Sequence, residues 1–388
     1  MRIDAVELRV VALPMVAPFV AGHGSVDVRT SVLVHLVGPD GEGWGECAAL
    51  PDPTYTAEFT DAALLVLRDH LAPRLLRAAT DRSDGLPADE LAAALDDVVG
   101  HPMAKAALEL ALLDAEGRAA GTPLARRLFP HPPGPATLVP AGAVVGLAGT
   151  TDAVVGAVVD RVARGYGRVK LKVAPGRDVG LVQAVRDAVG PDVVLVADAN
   201  GAYRLDGEPG APDDARLLAD LDDLGLACIE QPLAPDDLLG HAELARRITT
   251  PICLDESLTT VADTEQALDM GACSVVCVKA PRYGSWLAAA DVLDRCAGNG
   301  VAAWVGGMLD AGIGRHANVA LAAHPGATVA GDLSDGRLTF TDDVTGPVEV
   351  TGGAGSALVA VPHGPGLGVE VDADALERLT VATHTVHP

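Results

Sequence analysis

The chain has 388 residues, enough for a large core and for two domains, and its 49% hydrophobic and 21% charged residues describe a folded globular protein. A formal net charge of -25 repels phosphate backbones and anionic lipid. It therefore argues against nucleic acid and membrane surfaces as partners and makes a cation easy to recruit. No basic-then-apolar leader and no bilayer-length apolar run is visible, and six cysteines without a CxxC pair read as free thiols of a reducing cytoplasm.

Taken in chain order, the N-terminal runs "RIDAVELRVVALPM" and "TSVLVHLVGPDGEGWGECAAL" alternate apolar and polar residues, with Asp40-Gly41 as a turn signal between two strands. Helical periodicity follows over 57–78, 88–99 and 102–128. The Pro/Gly-rich segment "FPHPPGPATLVP" at 129–140 then reads as a domain connection. Beyond it, short apolar runs recur at 139–145, 168–173, 193–198, 227–231, 251–255, 274–279, 301–306 and 327–332, each followed by a helical pattern. Eight strand–helix units imply parallel strands with right-handed crossovers and predict an α/β fold, a (β/α)8 TIM-type barrel. The expected division is an N-terminal α+β capping domain over 1–130, the barrel over 136–335, and a C-terminal segment over 336–388 that returns to the cap.

Five consecutive barrel strands end in ionisable groups. The second, in "GRVKLKVAPG", carries Lys170 and Lys172 on one face of an otherwise apolar strand, which alone would also suit a solvated edge. The third ends at Asp198 and Asn200, the fourth at Glu230, the fifth at Asp255 and Glu256, and the sixth at Lys279. Barrel chemistry is built from the C-terminal ends of strands, so these side chains share one mouth. Asp198, Glu230 and Asp255, on neighbouring strands, cannot all stay ionised together without a cation. An oxygen-only set suits Mg²⁺, with Mn²⁺ as the alternative, and the absence of His or Cys argues against zinc. Strands two and six lie four apart in an eight-strand ring, so Lys172 and Lys279 face each other across anything bound there. That is a two-base arrangement for a carbon next to a carboxylate, passing through an enediolate. A lysine base needs a depressed pKa, and Lys170 is expected to lower that of Lys172 by like charge.

The motifs KxK, D-x-N, E-Q-P, D-E-S and the sixth-strand lysine resemble the enolase superfamily in its muconate-lactonizing-enzyme-like subgroup, where a lysine base with Mg²⁺ is an established pairing. "GEGWGECAAL", "MAKAALELALLDAEGRAAGTPL", "GGMLDAGIGRHANVALAAHPGATVAGDLS" and "HGPGLGVEVD" are similar to the N-succinylamino acid racemase/o-succinylbenzoate synthase branch. The resemblance implies Asp198, Glu230 and Asp255 as Mg²⁺ ligands, Asn200 and Glu256 behind them, and Arg282 as a residue tuning Lys279. It also implies a homo-oligomer and a small carboxylate substrate, either an N-acylamino acid or a succinyl-cyclohexadiene carboxylate of menaquinone biosynthesis. His23, in the Gly-flanked "AGHGS", matches a capping loop that closes over substrate, and Met15 and Phe19 are candidates to line an acyl pocket.

The branch reads N-I-K-P-G-R where this chain has "CVKAPR", so Cys277 replaces Asn and Ala280-Pro281 replaces Pro-Gly; Asp310 stands where Glu is usual. Dipeptide epimerase and muconate cycloisomerase are the enzyme alternatives, although "TVAGDLS" lacks a D-x-D for a dipeptide ammonium. A barrel that binds metal and ligand without turnover is the reading from another class. His35, His316, His324 and His363 have no paired ligand spacing and read as structural.

Overall fold

The computed structural model describes all residues except 22–23, 83–84, 133, 148, 206–213 and 354. The alternating N-terminal runs form β1 (Ala5–Ala21), β2 (Gly24–Gly38) and β3 (Gly41–Cys47), with the tight turn at Gly41, whose φ of 134° suits glycine. Helix Pro102–Ala120 lies directly on β3. A Cβ on Gly43 or Gly45 would meet the carbonyls of Ala111 and Ala107 at 2.1 and 2.0 Å, so glycine there sets the close helix–sheet approach.

The helical runs are more broken than their periodicity predicts. Residues 57–78 become Thr60–Val66 and Ala72–Thr80 joined by a π turn at Leu67–Leu71, because Pro73 cannot donate to the ladder. Over 88–99 only Ala88–Glu90 and Leu91–Ala94 are helical. The 102–128 run stops at Gly121, in the left-handed region (φ 66°), and resumes at Leu124–Leu128 after Pro123.

After the short β4 (Leu138–Pro140), seven parallel strands follow. These are β5 (Gly142–Val145), β6 (Arg168–Lys172), β7 (Val194–Asp198), β8 (Cys228–Glu230), β9 (Ile252–Leu254), β10 (Val275–Val278) and β11 (Ala302–Val305), ordered in the sheet as in the chain. The eighth strand expected over 327–332 is not a regular strand. This segment donates Val329 N–H to the Ala303 carbonyl (3.1 Å) and Asp332 N–H to Val305 (3.0 Å), while Gly331 accepts from Gly142 N–H (2.7 Å) and makes a single bridge to Ala141. The C-terminal stretch divides: β12 (Val350–Thr351) pairs with β13 (Leu358–Ala360), which pairs with β4, whereas β14 (Thr380–Val386) pairs antiparallel with β1.

Two carboxylates of the N-terminal unit fasten it to the parallel sheet's helices. Glu46 accepts from Ala311 N–H (2.7 Å) and Gly314 N–H (2.8 Å) at the start of helix Gly312–Ala322. Glu109 accepts from Ser285 Oγ and the Trp286 and Leu287 N–H groups opening helix Trp286–Gly298. Burial, which these bonds only partly offset, lifts the Glu109 pKa from 4.5 to about 7. The folded chain thus holds this proton more tightly than the unfolded one. Stability from the group is fully present below pH 4.5 and is lost as pH rises through 7. Between pH 5 and 8, Glu109→Gln is expected to remove about 2–3 kcal/mol of the pH dependence of unfolding, read from denaturant curves at both pH values. Equal slopes in wild type and variant would contradict this.

Candidate active site

Register brings the charges together. Lys172, Asp198 and Glu230 are successive cross-strand partners on β6, β7 and β8, and Val276 of β10 pairs with Leu254, which sets Cys277 beside the Asp255 end of β9. All of these side chains are buried. Two strand ends leave ordinary geometry immediately afterwards: Asn200 (φ 45°) and Gln231 (φ 40°) are left-handed. Such strain persists where the surroundings over-determine it. Gln231 shows how, since its Oε1 accepts from Asp255 N–H and Ser257 N–H (both 3.1 Å) while its Nε2 donates to Leu233 O and Ser257 Oγ. It ties the Asp255 turn to the end of β8.

Lys172 Nζ donates to Asp198 Oδ2 (2.7 Å) and Asn200 Oδ1 (2.8 Å), and Asn200 Nδ2 donates to Glu256 Oε1 (2.7 Å). Across the site, Lys279 Nζ donates to Asp255 Oδ2 (2.7 Å) and to the Tyr55 hydroxyl (3.0 Å). Arg282 donates to Asp255 Oδ1 (3.1 Å), to the Asp255 carbonyl and to Tyr55 (3.1 Å). Arg282 therefore touches the carboxylate that holds Lys279.

Lys170 departs from its expected part as a like-charged neighbour. Its ammonium is neutralised by Asp332 Oδ2 (2.6 Å), Glu230 Oε1 (2.9 Å) and Asp198 Oδ2 (3.4 Å). Burial pulls its pKa down, but Asp332, Glu230 and Asp198 outweigh this and hold it well above the ordinary lysine value. Lys279 likewise moves up and not down: burial lowers its pKa, yet Asp255 and Tyr55 raise it further. Lys279 is held as an ammonium, the form that gives a proton.

Asp332, which sequence reasoning left unassigned, also accepts from Arg168 Nη1 (2.8 Å), whose guanidinium lies over Trp304 at 4.3 Å. Its signal was available, since "GDLS" ends the eighth apolar run as the other acids end theirs. Tyr55 offered no such signal, because it comes from the N-terminal unit.

The lysines open into a cavity of about 340 Å³ that also meets Met15, Phe19, Tyr55, Asp310 and Asp332. Asp310 Oδ2 accepts from Met308 N–H (2.8 Å) and Asn318 Nδ2 (2.9 Å), fixing the loop after β11. His23 lies outside the described residues. His35 stacks on Trp44 (3.9 Å between centroids) and binds Glu7 and Glu42, away from the cavity.

The donor set fits a divalent cation. Glu230 Oε2 and Glu256 Oε2 are buried without a hydrogen-bond partner, which is costly for a carboxylate unless a cation meets it. Against the expectation of an oxygen-only set, a cysteine stands beside it. Cys277 Sγ lies among these acids, and one ligand atom each of Glu230, Asp255 and Cys277 falls within 4.8 Å of the others. All six cysteines are free and buried, and no helix of the described residues is long and apolar enough to cross a membrane.

The sheet, its strand-end charges and the capping N-terminal unit define a proton-transfer enzyme on an enolase-type scaffold. The chain matches the mandelate racemase / muconate lactonizing enzyme N-terminal domain over residues 5–128 and the enolase C-terminal domain-like family over 153–375, and it belongs to this family. It is 44% identical over 382 residues, 98% of each chain, to an N-succinylamino acid racemase of Amycolatopsis sp. It is 38% identical over 388 residues to an o-succinylbenzoate synthase of Geobacillus kaustophilus, covering 100% of this chain and 98% of that protein. A solved enolase-superfamily member from Listeria innocua has a TM-score of 0.89 at 33% identity, covering 100% of this chain and 99% of that one.

Proposed function

We propose that this enzyme removes the proton next to a carboxylate, forming an enediolate, and acts as an N-acylamino acid racemase, N-succinylated substrates foremost, with o-succinylbenzoate synthesis as the companion activity. The observation that carries this reading is the pair Lys172 and Lys279 on the second and sixth strands, both opening into one cavity. Lys172 takes the proton on one face, while Asn200 and Asp198 steer its amine. Lys279, kept protonated beside Asp255 and Tyr55, delivers one on the other face. For the dehydration, Lys172 alone is the base and Lys279 serves as a cation near the substrate. Asp198, Glu230 and Asp255 would hold Mg²⁺ or Mn²⁺, backed by Asn200 and Glu256. When bound, such an ion supplies Lewis-acid stabilisation of the carboxylate's developing charge. Residues 329–332 complete the ring as the eighth strand of a (β/α)8 barrel, with the cap over 1–130, the barrel over 136–335 and 336–388 as the returning segment. Phe19 and Met15 form an acyl wall in this reading. The dipeptide-epimerase alternative is disfavoured because Asp332 is engaged by Lys170 and Arg168 and is not free for an ammonium.

The test is proton NMR in D₂O with Mg²⁺ and an N-succinyl-L-amino acid, followed by chiral analysis. Loss of the α-proton signal with both enantiomers formed is the expected result. No exchange, together with turnover of the succinyl-cyclohexadiene carboxylate, would leave the synthase alone, and neither activity would sink the reading. A further expectation concerns Tyr55. Hydrogen bonds to charged groups contribute about 1.5–3 kcal/mol, so Tyr55→Phe should slow transfer on the Lys279 face about 10- to 100-fold. Deuterium uptake started from each enantiomer separately measures this, and an equal slowing on both faces would count against Tyr55 acting through Lys279.

A further inference from the structure

Cys277 is a thiol that the fold groups with two acids, Glu230 and Asp255, at the reacting end of the sheet. It ends the inward-facing row of β10, its Sγ is packed against Gly306, and a Cβ there would sit 2.6 Å from it. The thiol is 1% exposed, so bulk solvent does not compete for it. Two carboxylates stand with it, Glu230 from β8 and Asp255 from the end of β9, with one ligand atom of each residue within 4.8 Å of the others, and the Lys170 and Lys279 ammonium groups are also close. A second observation points to a ligand: Glu230 Oε2 is fully buried and has no hydrogen-bond partner. Two hard oxygens and one soft sulfur are a donor set that Mg²⁺ uses poorly and that Co²⁺, Zn²⁺ or Cd²⁺ uses well.

We propose that Glu230, Asp255 and Cys277 form a mixed oxygen–sulfur site that gives this chain a high affinity for thiophilic divalent cations, in competition with Mg²⁺ at the same carboxylates. Binding replaces the thiol proton with a metal–sulfur bond, and the proton leaves to solvent. A cation seated toward Cys277 draws on Glu230 and Asp255, so it excludes Mg²⁺ from them and acts as a competitive inhibitor. The inference rests on the reading of Glu230 and Asp255 as cation ligands.

The experiment uses the full chain, stripped with a chelator and titrated with Co²⁺ while the absorption spectrum is recorded. Wild type is expected to show a near-ultraviolet sulfur-to-cobalt charge-transfer band that saturates at one equivalent and is suppressed by excess Mg²⁺. Cys277→Ser should lose the band while still binding Co²⁺ through oxygen, with its Co²⁺ affinity about 10- to 100-fold weaker relative to Mg²⁺. A wild-type spectrum without the band overturns the inference even if the variant folds badly. Cobalt binding with visible d–d bands but no charge transfer would overturn the part of Cys277 alone and leave the carboxylate site standing. A band that persists in Cys277→Ser would assign the sulfur to another thiol, such as Cys228 or Cys253, and would equally overturn it. Failure to bind either Co²⁺ or Mg²⁺ would overturn this inference and the reading of the carboxylates together.

Discussion

Replacing Lys172 by alanine should slow α-proton exchange by about 10²–10⁴ for the enantiomer whose hydrogen faces β6, the usual contribution of a positioned general base. Lys279→Ala should leave that exchange largely intact but stop inversion, because the abstracted position can then be refilled only from the Lys172 side. The asymmetry follows from the surroundings of the two amines. Lys172 is held by Asp198 and Asn200, whereas Lys279 sits with Asp255, Tyr55 and Arg282 on the opposite side of the sheet's mouth. The measurement is deuterium incorporation and chirality of product in D₂O for each variant, started from each pure enantiomer. Symmetric loss in both variants would mean that the lysines act as one electrostatic unit and not as two bases. If Lys279→Ala also abolishes dehydration of the succinyl-cyclohexadiene carboxylate, its charge, and not its proton, is what that reaction needs.

The second large effect is on stability. Asp332 is buried and meets Lys170 and Arg168 at 2.6 and 2.8 Å. Removing one partner of a buried charge cluster typically costs about 3–5 kcal/mol, because the remaining charges lie desolvated and unpaired. Asp332→Asn should therefore lower unfolding free energy by that amount in denaturant titrations. Arg168→Met combined with Asp332→Asn should cost less than the sum of the two single variants. Strict additivity would show that the two side chains are not coupled. The pH dependence has a definite sign. Burial raises the Asp332 pKa, but Lys170 and Arg168 outweigh this and hold it below the ordinary aspartate value. Its contribution is present above that ordinary value, near pH 4, and is lost as acid protonates it, so the Asp332→Asn cost should shrink below pH 4.

The two effects meet at Lys170. Its ammonium is neutralised from the eighth segment, so the amine beside Lys172 is a structural cation that orders Glu230, Asp198 and Asp332 around it. Asp332→Asn is thus expected to disturb the site as well as the fold, and the Lys172 and Lys279 variants, which unpair the buried Asp198 and Asp255, should also lower stability.

Much of the site was legible in the sequence because parallel strand–helix repetition is a local pattern. Each apolar run of four or five residues marks a strand, and its last charged residue marks the mouth. Lys172, Asp198, Glu230, Asp255 and Lys279 could be read that way without knowing any contact, and the register bears out the side-by-side placement of Lys172, Asp198 and Glu230. Pairings across long chain distances were not legible. Lys170 and Asp332 are 162 positions apart, Tyr55 reaches Lys279 from another unit, and Glu109 caps a helix that begins 177 positions later. The broken helices and the irregular eighth segment belong to the same class, since Pro73, Gly121 and neighbouring strands override a local period. The sequence by itself determined which ionisable groups stand at the strand ends, because hydrophobic periodicity and chain direction are properties of neighbouring residues. Only the tertiary structure decided which charge neutralises which, because the pKa and role of a buried group depend on its partners in space, and those partners come from anywhere in the chain.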